Sequence, residues 1–213
     1  VGRILAALDA AGLAEDTLVI YTSDHGDNLG ARTLWGKSNM YDESAGVPLV
    51  LRGPGIDRGR VATPVSLVDA HPTILAANGV EAHADDADLP GQSLLSDVDP
   101  ARTAFSEYHA VGSNVGGYML RKGKWKYHYY VGLPPELFDL EADPEETTDL
   151  AKDPAYSATL AGMEAELRKI CDPDAVDQLA KTDQASLIEK HGGRDKALLV
   201  GAPGATPPPK SSA

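Results

Sequence analysis

Thr17–Gly30 reads TLVIYTSDHGDNLG. Its first part, around Leu18, Val19, Ile20 and Tyr21, is a β-rich apolar run that stops abruptly at Asp24-His25-Gly26-Asp27. A short continuous apolar run of this kind predicts a parallel strand buried on both faces of a sheet. In open α/β sheets, ligand-binding groups gather beyond the carboxyl ends of the strands, which is where Asp24 and His25 fall. Asp24 offers hard oxygen donors to a divalent cation, and His25 offers a nitrogen ligand or a hydrogen-bond donor. Gly26 lets the backbone turn sharply or approach a ligand closely. Taken alone, Asp-His-Gly also reads as an ordinary loop following a strand.

Working outward, Ile4, Leu5 and Leu8 share one helical face over residues 1–12, and Gly12 suits a left-handed helix stop. Val47–Arg52 (VPLVLR) repeats the buried-strand pattern and is closed by Gly53-Pro54-Gly55. Ser66–Asn78 predicts a helix around a Pro72 start with Gly79 as its stop. Helix, strand, strand, helix points to an α/β layer architecture. Residues 81–101, rich in Gly, Pro and Asp, read as a connecting loop. Beyond it the pattern changes. Tyr118–Arg121 and Trp125–Tyr130 flank Lys122-Gly123-Lys124 as an antiparallel hairpin, and Glu136–Leu140 adds a strand. The acid-rich stretch 141–153 (EADPEETTDLAKD) lacks the Gly and terminal Glu of a calcium loop, so a solvated turn is expected there. Asp153-Pro154 opens a helix bearing Leu160, Met163, Leu167 and Ile170, and Asp172-Pro173 opens another that stops at Gly192-Gly193. The tail from Gly201 to Ala213 (GAPGATPPPKSSA) has nothing to bury and reads as extended.

The 213 residues include 19 Lys and Arg against 32 Asp and Glu, a formal net charge of −13. Such a chain repels nucleic acid and anionic membrane unless it carries a strong basic patch. The one basic cluster, Arg121 to Lys126, reads as a solvated strand face. No apolar run is long enough to span a bilayer. A single cysteine, Cys171, excludes an internal disulfide framework. The chain opens at Val1 within what reads as a helix already under way, so a fragment or a processed chain is expected, and the compartment is left open.

The longer string SDHGDNLGARTLWGKSNMYDESAGVPLVLRGPGI resembles the sulfatases of the alkaline phosphatase superfamily, especially choline-sulfatase-like and related sulfatase-like hydrolases. In that family an S-D-H/N-G segment is followed by a loop bearing leucine or tryptophan, then G-K, then an aromatic-acidic stretch, then R/V-P-L. The downstream strings YMLRKGKWKYHYY and PPELFDLEADPEETTDLA look like a sulfatase C-terminal subdomain. The resemblance implies a fold: the C-terminal part of an alkaline-phosphatase-like α/β sandwich over residues 1–102, then a small α+β subdomain with an antiparallel sheet over 103–200, then the tail.

It also implies roles. Asp24 matches a carboxylate ligand of the catalytic divalent metal, usually Ca2+, with Mn2+ or Mg2+ as alternatives. His25 falls at the neighbouring position that faces metal and sulfate, and Lys37 matches the lysine that reaches the sulfate ester. From its own surroundings Lys37 reads as a surface lysine after a glycine. His109, with Glu107, either borders the substrate pocket or is a loop histidine. Asp69-Ala70-His71 resembles a metal cluster only superficially, because Pro72 marks a helix start. Tyr127, His128, Tyr129 and Tyr130 are expected to pack the small sheet.

The departure from the family is the nucleophile. Sulfatases use a formylglycine made from the Cys or Ser of a C/S-x-P/A-x-R motif. Here Cys171-Asp172-Pro173 is followed by Ala175 where Arg is needed, so Cys171 reads as a helix-end residue and the chain carries no nucleophile. The family's paired N-terminal aspartates are missing too. The expectation is a sulfuric ester hydrolase fragment, inactive alone, whose partners are a sulfate-ester small molecule and a missing N-terminal half. Room is left for a homo-oligomer. A phosphonate monoester or phosphodiester hydrolase of the same superfamily, or a non-catalytic anion- or partner-binding fragment, are the alternatives.

Overall fold

Apolar residues at helical spacing form the first element, α1 (Gly2–Ala10), and Gly12 takes a φ of +69° just beyond it. The computed structural model describes residues 1–110 and 113–200; the tail expectation for 201–213 lies outside the described residues. The apolar run at 17–22 becomes β1 (Val19–Thr22), and after a one-turn helix α2 (Asp42–Ala45) the chain returns as β2 (Leu49–Arg52). These strands pair antiparallel, from Val19 opposite Arg52 to Thr22 opposite Leu49. The expected parallel pairing with both faces buried is therefore corrected. The loop and α2 between them turn the chain back on itself, and Tyr21 and Val50 remain 46% and 55% exposed on one face. A two-stranded ribbon is marginal by itself and needs further cover to be stable.

α3 (Ala70–Ala77) starts earlier than Pro72 suggests. Ser66 and Asp69 form a reciprocal capping box that leads through a 3₁₀ turn into the helix, and Pro72 is tolerated within the first turn. Asp69 is fully buried and is held by the Arg102 guanidinium at 2.9 and 3.0 Å and by the Gln92 N–H at 2.9 Å. The Thr73 hydroxyl donates to Asp69 O and accepts the Leu94 N–H. The supposed connecting loop is thus bolted to α3 by a paired buried charge.

Four strands follow: β3 (Thr103–Tyr108), β4 (Gly117–Lys122), β5 (Trp125–Tyr130) and β6 (Glu136–Asp139), an antiparallel meander in that order. Gly123, at a φ of +55°, makes the tight turn of the expected hairpin. Side chains alternate along β5. Trp125, Tyr127 and Tyr129 face α4 (Ser157–Ile170), where Tyr118, Leu120, Tyr127, Leu137, Met163 and Leu167 make the core. Asp153 and Asp172 cap the turns leading to α4 and α5 (Pro173–Lys190), and Cys171 caps the C-terminal end of α4, as expected. α6 (Arg194–Val200) closes the described chain. No helix among the described residues is long and apolar enough to cross a membrane.

On the other face of β5, Lys126 and His128 are 1% and 0% exposed. The basic cluster is therefore no solvated face at this point, and the acid-rich loop is no purely solvated turn. Glu146 from that loop, 2% exposed and at a φ of +50°, meets Lys126 Nζ at 2.7 Å and accepts the Asp42 N–H at 2.7 Å. Lys126 also reaches Asp42 Oδ1 at 2.5 Å. Arg32 donates to the Glu146 and Glu145 carbonyls and lies 4.2 Å from the Tyr41 ring centre. Tyr41 donates to Glu136 at 2.8 Å, and Glu136 meets His128 Nδ1 at 3.0 Å.

Burial pushes the Glu136 carboxyl up, but hydrogen bonds from His128 and Tyr41 outweigh it and hold the group below its ordinary range. The Lys124 contact lowers Asp139 in the same way, and the Thr148 N–H lowers Asp143. Carboxyls depressed in the folded state add stability above their unfolded values, and that stability is lost as pH falls through the folded ones. Thermal unfolding followed by circular dichroism is expected to be nearly flat from neutrality down to about pH 5 and to drop steeply below about pH 4. Glu146→Gln removes one charge from a buried set while keeping its shape. It is expected to cost about 3 kcal/mol in urea denaturation, against a change within about 0.5 kcal/mol for the exposed Glu189→Gln.

Candidate active site

The segment after β1 is shaped by Gly26. Its N–H donates to Ser44 O at 2.8 Å, and a Cβ there would stand 2.1 Å from Glu43 O. Only glycine allows that approach, which folds Asp24 and His25 back over α2. Asp24 Oδ1 accepts the His25 N–H at 3.0 Å, and the Ser23 hydroxyl lies 3.3 Å away. That backbone N–H, opposed by slight desolvation and assisted by His25 and Ser23, holds the Asp24 carboxyl below the usual range.

His25 Nδ1 sits 2.8 Å from Gly26 O, an acceptor, which places the ring proton on Nδ1 and leaves a lone pair on Nε2. Lys37 Nζ approaches that Nε2 at 2.5 Å, and Asp24 Oδ2 lies 3.3 Å from it. Asp24, His25 and Lys37 therefore converge, as their sequence spacing alone could not show. The loop that returns Lys37 is pinned from within. Asp27 Oδ1 accepts the Leu29 and Gly36 N–H groups, and buried Asn28 donates twice to Gly36 O, at 2.7 and 2.6 Å.

The three residues stand at one side of a cleft of about 930 Å³ that also takes Ser38, Arg60, Glu107, Tyr108, Met119, Arg121 and Lys126 into its lining. His109 is not part of that lining. Its ring packs edge-on against Tyr118 at 5.4 Å, and its carbonyl accepts from Gln184 of α5. Its Nε2 lies 3.8 Å from Glu107, which does line the cleft. Asp69 is engaged by Arg102 and His71 does not join it, so Asp69-Ala70-His71 is a structural cap. Burial pushes the Cys171 thiol up, away from nucleophilic use. Sequence reasoning missed Tyr108, Arg60 and Arg121, which come from segments far from the Asp-His-Gly motif and carry no motif of their own.

With the proton on Nδ1, His25 Nε2 and Asp24 Oδ2 are two lone-pair donors 3.3 Å apart, the kind of pair that a cation satisfies, and Lys37 Nζ is the cation that meets Nε2 here. They are two donors where calcium takes six to eight ligands. No group of three or more His, Cys, Asp or Glu that could hold a metal is present among the described residues. The residues fit as contributors to a cation site and not as the whole of one.

The loop after β1 carries Asp24, His25 and Lys37 into one cleft, beside a small antiparallel sheet backed by a helix, an α/β arrangement with convergent polar groups of the kind enzymes use. A sequence profile of the Sulfatase family matches residues 1–80, the part that holds all three residues. The choline-sulfatase of Rhizobium meliloti is 38% identical over 191 residues, covering 87% of this chain and 37% of the relative. Arylsulfatase K of Danio rerio is 36% identical, covering 82% of this chain and 35% of the relative. The phosphonate monoester hydrolase of Agrobacterium radiobacter superposes with a TM-score of 0.67 at 32% identity, over 79% of this chain and 37% of that structure. The chain belongs to the sulfatase family, as a C-terminal portion, and spans little more than a third of the length of these relatives.

Gly26→Ala is expected to force the Asp24–His25 segment off α2. A loss of about 1–3 kcal/mol in urea denaturation, with displaced His25 ring resonances, checks it.

Proposed function

We propose that this chain is the C-terminal portion of a sulfuric ester hydrolase that cleaves a sulfate monoester to an alcohol and sulfate. The observation that carries the reading is the convergence of Asp24, His25 and Lys37, with Lys37 Nζ 2.5 Å from His25 Nε2. Residues 1–102 serve as the site-bearing part of the α/β core and 103–200 as a supporting subdomain. The nucleophile and the remaining cation ligands come from an N-terminal half outside these residues. The exposed face of β1 and β2, with Tyr21 and Val50, is where that half would supply cover.

In this reading Asp24 and His25 contribute two ligands to a divalent cation, Ca2+ first and Mn2+ or Mg2+ as alternatives. When bound, the cation supplies positive charge to the sulfate oxygens. Lys37 does the rest that this chain can do. Its ammonium donates to the ester oxygen that gains charge as the S–O bond breaks, where a donor counts far more than on the resting ester. The one lone pair on His25 Nε2 serves either the ammonium or the cation: engaged by a cation, it releases Lys37 to the anion, and Gly26 O fixes the tautomer that allows both. The resemblance to a phosphonate monoester hydrolase keeps a second reading in view, because a tetrahedral anion on a cation suits both substrates.

The test grafts residues 1–192 in place of the matching segment of the Rhizobium meliloti choline-sulfatase, keeping that enzyme's formylglycine. The ungrafted 213-residue chain is expected to leave p-nitrophenyl sulfate intact, and the graft to hydrolyse it faster than a phosphonate monoester. Lys37→Ala in the graft is expected to cost about 10²–10³ in kcat. Asp24→Ala is expected to abolish metal-dependent turnover. A folded graft that prefers the phosphonate ester overturns the sulfatase reading. Turnover by the chain alone that vanishes with Cys171→Ala overturns the missing nucleophile.

A further inference from the structure

Lys37 can meet His25 only if the loop that carries it is held in an unusual shape. Before it, Gly36 adopts a φ of +78° and is fastened by Asp27 and Asn28. After it, Ser38 adopts a φ of +82°, a left-handed conformation that glycine tolerates and serine does not favour. Such a residue persists only where its surroundings over-determine it. On the N-terminal side the surroundings are local. On the C-terminal side the Ser38 side chain is fastened from outside the loop: the Tyr108 hydroxyl, at the end of β3 and 70 residues further along the chain, donates to Ser38 Oγ at 2.9 Å. Tyr108 and Ser38 both line the same cleft as Lys37 and His25.

We infer that Tyr108 is a positioning residue for Lys37: its hydroxyl holds Ser38 in the left-handed conformation that delivers the Lys37 ammonium to His25. This rests on the site reading above, in which the Lys37–His25 pair matters. It gives the four-stranded sheet a share in the site. β3 is fixed by its ladder with β4, Tyr108 opposite Gly117, so the hydroxyl is presented by a rigid element and not by another loop. The neighbouring Met40, only 3% exposed, ties the far end of the same loop into the interior, which leaves the Lys37–Ser38 step as the part that Tyr108 decides.

The experiment uses the 213-residue chain, isotope-labelled, at mildly alkaline pH. The readout is the nuclear Overhauser cross-peak between the Lys37 ε-methylene and the His25 ring protons. The amide fingerprint of β3 to β6 is recorded beside it. Wild type is expected to show the cross-peak. Tyr108→Phe, which removes one oxygen, and Ser38→Ala, which removes its acceptor, are each expected to reduce it by more than half with the fingerprint unchanged. The double variant is expected to be no worse than either single one, since both break the same bond. A cross-peak retained in Tyr108→Phe and in Ser38→Ala overturns the inference while leaving the site reading intact. So does loss that occurs only together with a disturbed fingerprint, since that is damage to the sheet. Absence of the cross-peak from wild type removes the pair itself, and with it the site reading.

Discussion

Glu146 is a carboxylate that folding takes almost wholly out of water, and the rest of the structure arranges itself around that cost. An unpaired buried charge is not tolerated, so each oxygen must be answered. Lys126 answers from β5, the Asp42 N–H answers from the start of α2, and Arg32 fastens the backbone carbonyls of Glu145 and Glu146. Those three partners belong to the loop that carries the candidate site and to the sheet behind it. The acid-rich turn acts as a rivet between them. A hydrophobic contact could hold the two parts together, but it would not fix their register. A carboxylate with a lysine on one oxygen and a backbone N–H on the other leaves little freedom to slide.

The rivet explains why strain gathers where it does. Leu29, Arg32, Thr33 and Ser38 all take positive φ values without being glycine, and all lie between the two pinned ends, Gly26 and Met40. Each such residue is disfavoured, and a run of them survives only in a loop whose ends are held. Ring contacts extend the hold. Tyr41 stacks edge-on against His128 and Phe138 while its hydroxyl meets Glu136, so the loop's exit is packed as well as bonded. The result is a site segment that is irregular in backbone yet anchored from both sides, as positioned catalytic loops require.

How much of this was legible in the sequence depends on range. The hairpin at Gly123, the caps at Asp153 and Asp172 and the helix-end position of Cys171 are local, and local pattern found them. Asp24, His25 and Lys37 could be named by resemblance, yet nothing local showed that Lys37 returns to His25. Pairings across long separations were not legible at all. Lys126 looked solvated because basic residues on a strand usually are, and Glu146 looked solvated because it sits among acids. Neither signal reveals that the two bury each other. The same holds for Asp69 and Arg102, and for Tyr108 with Ser38. The parallel reading of β1 failed for a related reason: an apolar run records burial and strand propensity, and carries no record of the direction of its partner.

Charge sets the last constraint. A chain of net charge −13 is a poor host for an anion if its charges act together. They do not, because salt screens exposed charges beyond about 8–10 Å. What an entering anion meets is the lining of the cleft. There Lys126 is already spent on Asp42 and Glu146, whereas Lys37, Arg60 and Arg121 have no carboxylate partner among the described residues. Asp24 and Glu107 oppose them, and Asp24 is the group that a cation would neutralise. Three cations against two carboxylates leave the cleft lining positive, and neutralising Asp24 makes it more so. The anion-binding role proposed for Lys37 therefore draws on a local lining whose sign is opposite to that of the chain as a whole.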